Sequence, residues 1–184
     1  MRKSIVMTVL VVFLLFSKVG VCAGFKEVGF FTGFGSASLN EKKNYKIIPL
    51  GARLGFDMNP LFNNKVKGLL EFVVEPFLTP VISPDKNVEF GTHFMIKYGY
   101  KFGNFMPYIE GGTGFMYTTQ HTREQSTQWN FTSQAGLGFY YFLREDLALN
   151  IGYRYRHFSN LSIKRPNSGV DIHNGIIGIS WFFN

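Results

Sequence analysis

The sequence predicts an all-β chain, an eight-stranded antiparallel transmembrane β-barrel of the outer-membrane type. Three observations predict it. Segment after segment alternates apolar with polar or small residues, so successive side chains point to opposite faces of a strand. Beyond the first residues no apolar run reaches the roughly 18 needed for a spanning helix. Aromatic residues make up 17% of the chain, the same share as charged residues, beside 20 glycines. That composition suits a sheet whose outer face meets lipid.

The chain opens on Arg2 and Lys3, continues with an apolar run from Ile5 to Phe16, and reaches Val21-Cys22-Ala23. A basic start, an apolar stretch and small residues describe a secretory signal peptide, 1–23, cut after Ala23. A lipoprotein cut before Cys22 is the competing reading, disfavoured by the bulk of Val21. Residues 24–184 then form one domain. Cys22 is the only cysteine, so that domain has no disulfide and no thiol nucleophile. Loss of Arg2, Lys3 and Lys18 takes the formal net charge from +7 to +4. A mildly basic balance fits an anionic surface and does not call for nucleic acid.

Eight strand-like segments follow. The first, 25–37, sets Phe30 and Phe34 among small residues, and a polar loop, 38–44, ends it. The second, 45–57, places Ile48, Leu50, Ala52, Leu54 and Phe56 on one face and Arg53 on the other. A Pro/Asn turn spans 58–64. In the third, 65–79, Leu70, Phe72 and Val74 oppose Glu71 and Glu75, and 80–87 is read as a loop. The fourth, 88–102, alternates most cleanly, with Phe90, Phe94, Ile96, Tyr98 and Tyr100 against Glu89, His93 and Lys97. Gly103-Asn104 is a two-residue hairpin turn. The fifth, 105–119, carries Ile109, Phe115 and Tyr117 opposite Glu110; a polar loop, 120–128, precedes the sixth, 129–142. After a turn at 144–146, the seventh alternates Leu147, Leu149, Ile151, Tyr153 and Tyr155 with Ala148, Asn150, Gly152, Arg154 and Arg156. The eighth puts Asp171, Ile177, Ile179, Trp181 and Phe183 on one parity.

An eight-stranded barrel is too narrow for a water channel. The inward parity collects Arg53, Glu71, Glu75, Lys97, Glu110, Arg154 and Arg156, read as mutually paired charges, with an ion or proton path as the alternative. Short turns alternate with longer polar loops in this reading, the asymmetry of outer-membrane barrels. With the N-terminus in the periplasm, the seventh strand ends at the outer leaflet.

Continuing the alternation of that strand puts His157 and Ser159 on the apolar face, and Asp171 shares it across a Pro166-Asn167-Ser168-Gly169 turn. A nucleophile, a base and an acid to orient the base are the parts of a serine hydrolase. Taken singly, each reads more simply as an inert interfacial residue. His173 shares the face and is a second candidate for the base. His93 reads as a lumen residue and His121 as a solvated loop residue. No His/Cys/Asp spacing suggests zinc, and no cofactor is expected. Gly111-Gly112-Thr113-Gly114 lacks the lysine and helix of a phosphate loop and reads as a strand permitting curvature. Trp129 and Trp181 read as interfacial girdle residues.

The run His157-x-Ser159-Asn160, then Lys164-x-Pro166-Asn167-x-Gly169, then Asp171 twelve positions after the serine, resembles the lipid A 3-O-deacylase (PagL) family. The resemblance implies an outer-membrane barrel with a Ser-His-Glu triad at the outer leaflet, removing the ester-linked 3-hydroxyacyl chain at position 3 of lipid A. It implies Ser159 as nucleophile, His157 as base and Asp171 where the family usually has Glu. It places the oxyanion hole on backbone amides near Asn160 and Ser162, where the family tends to have Asn-Ala-Gly and this chain has Asn160-Leu161-Ser162. Lys164 and Arg165, by charge and position, are candidates to hold lipid A phosphates. Lipid A or lipopolysaccharide is the expected partner, with a homodimer left open. A non-catalytic envelope or adhesive barrel and a phospholipase-like esterase are the alternatives.

Overall fold

A computed structural model describes residues 24–39, 44–122 and 124–183; the leader read at 1–23 lies outside the described residues. The strands are β1 (Phe25–Ala37), β2 (Tyr45–Ile47), β3 (Leu50–Asp57), β4 (Leu69–Ser83), β5 (Asn87–Gly99), β6 (Phe105–Thr118), β7 (Trp129–Phe142), β8 (Leu147–Ser159) and β9 (Val170–Phe182). Each pairs antiparallel with its neighbours, and β1 pairs with β9 to close the sheet. Both β2 and β3 lie between β1 and β4. They are one stave, interrupted at Ile48-Pro49, where proline has no N–H for the ladder. The result is the eight-stave barrel that the alternation predicts.

Three boundaries differ from the sequence reading. Pro80 does not end the third stave, because β4 continues to Ser83 with Pro80 opposite Val88. The register of β2 on β4 slips at this point, and Pro80 keeps a ladder role through its carbonyl, which accepts the Ile48 N–H at 3.0 Å. Proline is tolerated at such irregularities. The connection to β5 is therefore only 84–86, whereas 58–68 at the opposite end is long and holds a short 3-10 helix, Asn59–Phe62. The expected alternation of turn and loop lengths fails at these two connections. Finally, β5 stops at Gly99, before the two-residue turn at Gly103-Asn104, where Phe102 and Phe105 exchange backbone hydrogen bonds of 2.6 and 3.0 Å.

The lumen is filled by ion pairs. Lys97 bonds Glu27 and lies 2.6 Å from Glu71, Arg156 reaches Glu89 at 2.5 Å, and Arg53 and Arg154 bridge Glu75 and Glu110. Every charge assigned inward from parity is buried there, joined by Glu27 and Glu89. Towards the 160–169 end the filling turns apolar, with Leu39, Tyr45, Ile47, Phe77, Val81, Met116, Phe158, Val170 and Ile172 packed together. Phe158, Val170 and Ile172 alternate with His157, Asp171 and His173, so the wall carrying the candidate site is backed by a packed plug.

Candidate active site

Strands β8 and β9 build the site. Their register sets His157 opposite Asp171 and Tyr155 opposite His173. His157 and Ser159 are half-buried and Asp171 is exposed, while the intervening Arg156, Phe158, Val170 and Ile172 are buried in the lumen. All three candidate residues therefore face outward, on the parity the sequence indicates. His157 Nδ1 lies 2.7 Å from Asp171 Oδ1. Directly opposed residues have Cβ atoms only about 4.5–5.5 Å apart, which is why a side chain as short as Asp spans the gap. With Nδ1 engaged by a carboxylate, Nε2 is left with its lone pair for a proton. The same Oδ1 accepts a second hydrogen bond, 2.5 Å from the Tyr155 hydroxyl.

Ser159 is the last residue of β8, two positions beyond His157 on the same face. Among the described residues its hydroxyl makes no hydrogen bond. The fold thus brings carboxylate and imidazole into contact and leaves the serine on the same face without a hydrogen bond to either.

Residues 160–169 form the loop over the pair. Asn160 is fully buried; its side-chain amide donates to the Lys164 carbonyl at 2.8 Å and to Ser126 Oγ at 3.2 Å. Its backbone N–H donates to Asn167 Oδ1 at 2.9 Å. That amide, expected in the oxyanion hole, is therefore already occupied in this conformation. The amides of Leu161 and Ser162 have no hydrogen-bond partner among the described residues. Both residues are left-handed, with φ of 52° and 61°. The glycine usual at the position of Ser162 adopts such a φ without strain; here serine carries it. The loop is tied to its neighbour by Ser126 N–H to the Pro166 carbonyl at 3.1 Å and Ser168 N–H to the Glu124 carbonyl at 2.9 Å. Lys164 and Arg165 are exposed on this loop and form no ion pair with a described residue.

The remaining candidates separate clearly. His173 faces outward but its Nδ1 lies 2.5 Å from the Tyr153 hydroxyl, so His157 is the imidazole bonded to Asp171. His93 is buried in the lumen, 3.4 Å from Glu75 and stacked on Phe77. His121 lies in a loop beside Gln128. Gly111–Gly114 sits within β6, laddered to β5 and β7. Among the described residues no three His, Cys, Asp or Glu side chains converge as a metal site would. Sequence reasoning gave no role to Tyr155 or Asn167. The available signal was parity for Tyr155, two residues before His157 on its face, and the motif itself for Asn167.

Fold and site together define the class: an outer-membrane β-barrel with a carboxylate–imidazole pair on its outward wall. The family described as lipid A 3-O-deacylase (PagL) matches residues 48–180. The chain belongs to that family. Lipid A deacylase PagL of Bordetella bronchiseptica is 40% identical over 68 residues, 35% of this chain and 36% of that protein, so the match spans about a third of the relative. Among solved structures, the outer membrane enzyme PagL superposes with a TM-score of 0.62 at 17% identity, covering 83% of this chain and 97% of that one. Neisserial surface protein A gives 0.66 at 15% identity over 86% and 97%. The N-terminal β-barrel domain of Pseudomonas aeruginosa OprF gives 0.52 at 13% identity, covering 87% and 100%. A surface protein superposes as well as an enzyme does, so barrel shape does not decide activity; the residues at the rim must.

Proposed function

We propose that this chain is a lipid A 3-O-deacylase working as a serine esterase: it hydrolyses the ester-linked 3-hydroxyacyl chain at position 3 of lipid A in the outer leaflet. The observation carrying this reading is the 2.7 Å contact of His157 with Asp171 on the outward face beside Ser159, in a chain of this family. Three polar groups on a lipid-facing wall have little structural use, whereas beside a lipid ester they have a chemical one.

Asp171 holds His157 with Nε2 towards the serine. As the Ser159 hydroxyl swings to Nε2, its proton passes to the ring and Oγ bonds to the ester carbonyl carbon. The amides of Leu161 and Ser162, unpaired in the loop, are the donors that support the oxyanion in this reading. Collapse of the tetrahedral intermediate breaks the bond to the sugar oxygen, which takes the proton back from Nε2. Water, deprotonated by the same ring, then releases the 3-hydroxy fatty acid. Lys164 and Arg165 act as point and forked donors for lipid A phosphates. The leader at 1–23 exports the chain, and 24–184 inserts.

The test is mass spectrometry of lipid A from a Gram-negative host with and without the gene. Loss of one 3-hydroxyacyl chain is expected, and Ser159→Ala abolishes it while the barrel keeps its heat-modifiable mobility. An unchanged profile with folded wild-type protein points to the non-catalytic barrel, and fatty acid release from glycerophospholipid points to a phospholipase.

A further inference from the structure

The outward faces of β8 and β9 carry more polar contacts than a two-residue acid–base pair needs. The Tyr155 hydroxyl donates to Asp171 Oδ1 at 2.5 Å, the atom that also meets His157. The Tyr155 ring stands edge-on to His173, centroids 5.5 Å apart, and His173 in turn lies 2.5 Å from the Tyr153 hydroxyl. The five side chains are set by the ladder that pairs His157 with Asp171, Tyr155 with His173 and Tyr153 with Gly175. Parity alone puts Tyr153 and Tyr155 on the lipid-facing wall, where a tyrosine commonly directs its hydroxyl to water or headgroups. These two direct theirs sideways along the wall, onto a carboxylate and an imidazole.

We propose that Tyr155 is a positioning residue for the proposed esterase, fixing the Asp171 carboxylate so that the acid–base pair is a three-membered Tyr155–Asp171–His157 relay of orientation. His173, set by Tyr153, is the backstop for the Tyr155 ring. The inference rests on the reading of Ser159, His157 and Asp171 as a catalytic set. It supplies what an exposed, short carboxylate lacks. Asp171 is open to the surroundings, and its neighbours in sequence, Val170 and Ile172, point into the lumen and cannot hold it. A Tyr155 hydroxyl that left Asp171 would trade an ionised acceptor for neutral water, so the protein partner is the one it keeps. Hydrogen bonds to an ionised acceptor are about twice as strong as neutral ones. Tyr155 does not touch the ester in this scheme; it acts through Asp171 alone.

The experiment compares wild type, Tyr155→Phe, Asp171→Asn and the double variant, all refolded and checked for heat-modifiable mobility. Two readouts are taken: kcat and KM for lipid A deacylation, and the rate of covalent labelling of Ser159 by a fluorophosphonate, which needs no lipid A. Tyr155→Phe is expected to lower kcat and the labelling rate about 10- to 100-fold, the factor that matches loss of one hydrogen bond to a charged group, with KM unchanged. In the Asp171→Asn background the same change is expected to cost no more than about twofold, because the charged acceptor that Tyr155 orients is gone and only a weaker, neutral one remains. Equal losses in both backgrounds, a loss confined to KM, or a Tyr155→Phe rate within twofold of wild type would each overturn the proposal. Labelling of wild type without lipid A turnover removes the substrate reading but leaves the Tyr155 comparison intact. Absence of labelling in a wild type that still deacylates lipid A removes both.

Discussion

Gly169 lies against the His157 imidazole with a left-handed backbone φ of 75°. A Cβ at this position would fall 2.9 Å from Nε2 and closer still to Cε1. The motif glycine thus has two physical reasons, a φ that L-residues adopt at a cost of about 1–2 kcal/mol and a ring that leaves no room. Gly169→Ala is expected to turn the imidazole off the Asp171 line and cut deacylation by at least about tenfold. The barrel should survive, because residue 169 lies outside the strands. Rates measured beside heat-modifiable mobility check this, and an unchanged rate would show that the ring does not need its place.

Asp171 is directly opposite His157, so its carboxylate meets Nδ1 without a longer stem. Asp171→Asn keeps the shape but loses the charge that fixes the tautomer. A drop of about 10³–10⁴ in kcat is expected, by analogy with the same change in a serine-protease triad. Asp171→Glu restores the residue more usual in the family and should stay within about tenfold of wild type. Steady-state kinetics on purified lipid A separate the outcomes; equal activity of Asn and Asp forms would remove Asp171 from the site.

Asn167 stabilises the loop rather than the chemistry. Its Oδ1 takes the N–H of buried Asn160, and its amide nitrogen reaches Ser162 Oγ at 3.4 Å. Asn167→Ala leaves that N–H without an acceptor, a penalty of about 1–3 kcal/mol for a buried donor. Faster limited proteolysis within 160–169 is expected, with activity lowered. Unaltered cleavage would mean that water replaces the side chain freely.

Much of the fold is legible because a membrane sheet writes its parity into the sequence. Along β4 and β5 the inward charges Glu71, Glu75, Glu89 and Lys97 share one parity, and Phe72, Phe90 and Phe94 share the other. What parity does not carry is register. Pro49 marks a weak point in the second stave, but the alternation runs on through Ile48 and Leu50 and does not say that the ladder breaks there. Nor does it say that Pro80 stays in the ladder through its carbonyl. Both depend on where β2 slips against β4, a relation between distant segments.

The site divides in the same way. His157, Ser159 and Asp171 are legible as types on one face, and the direct opposition of His157 and Asp171 is the added fact that only pairing supplies. Tyr155 was hidden because a tyrosine among Leu149, Ile151 and Tyr153 reads as lipid contact. The occupied Asn160 amide was hidden because it depends on how Leu161 and Ser162 turn, and no glycine marks that turn here.

Arg154 gives the sharpest test of the lumen. It sits on β8, three residues before His157 but on the inward face, and joins Glu75 to Glu110 through four hydrogen bonds. With Arg154 gone, Arg53 alone would serve both carboxylates, apart from the 3.4 Å contact of His93 with Glu75. Breaking a buried pair by removing one partner costs about 3–5 kcal/mol, since a charge is left in a dry interior. Arg154→Met is therefore expected to lower unfolding stability by that amount in urea titrations of the barrel in phospholipid vesicles. Arg144, 3.4 Å from Asp146 on an exposed turn, is the control; its alanine variant should change stability by no more than about 1 kcal/mol. Similar costs for the two variants would mean that the lumen is wet enough to screen its charges, and the paired interior would no longer account for the stability of the wall that carries the site.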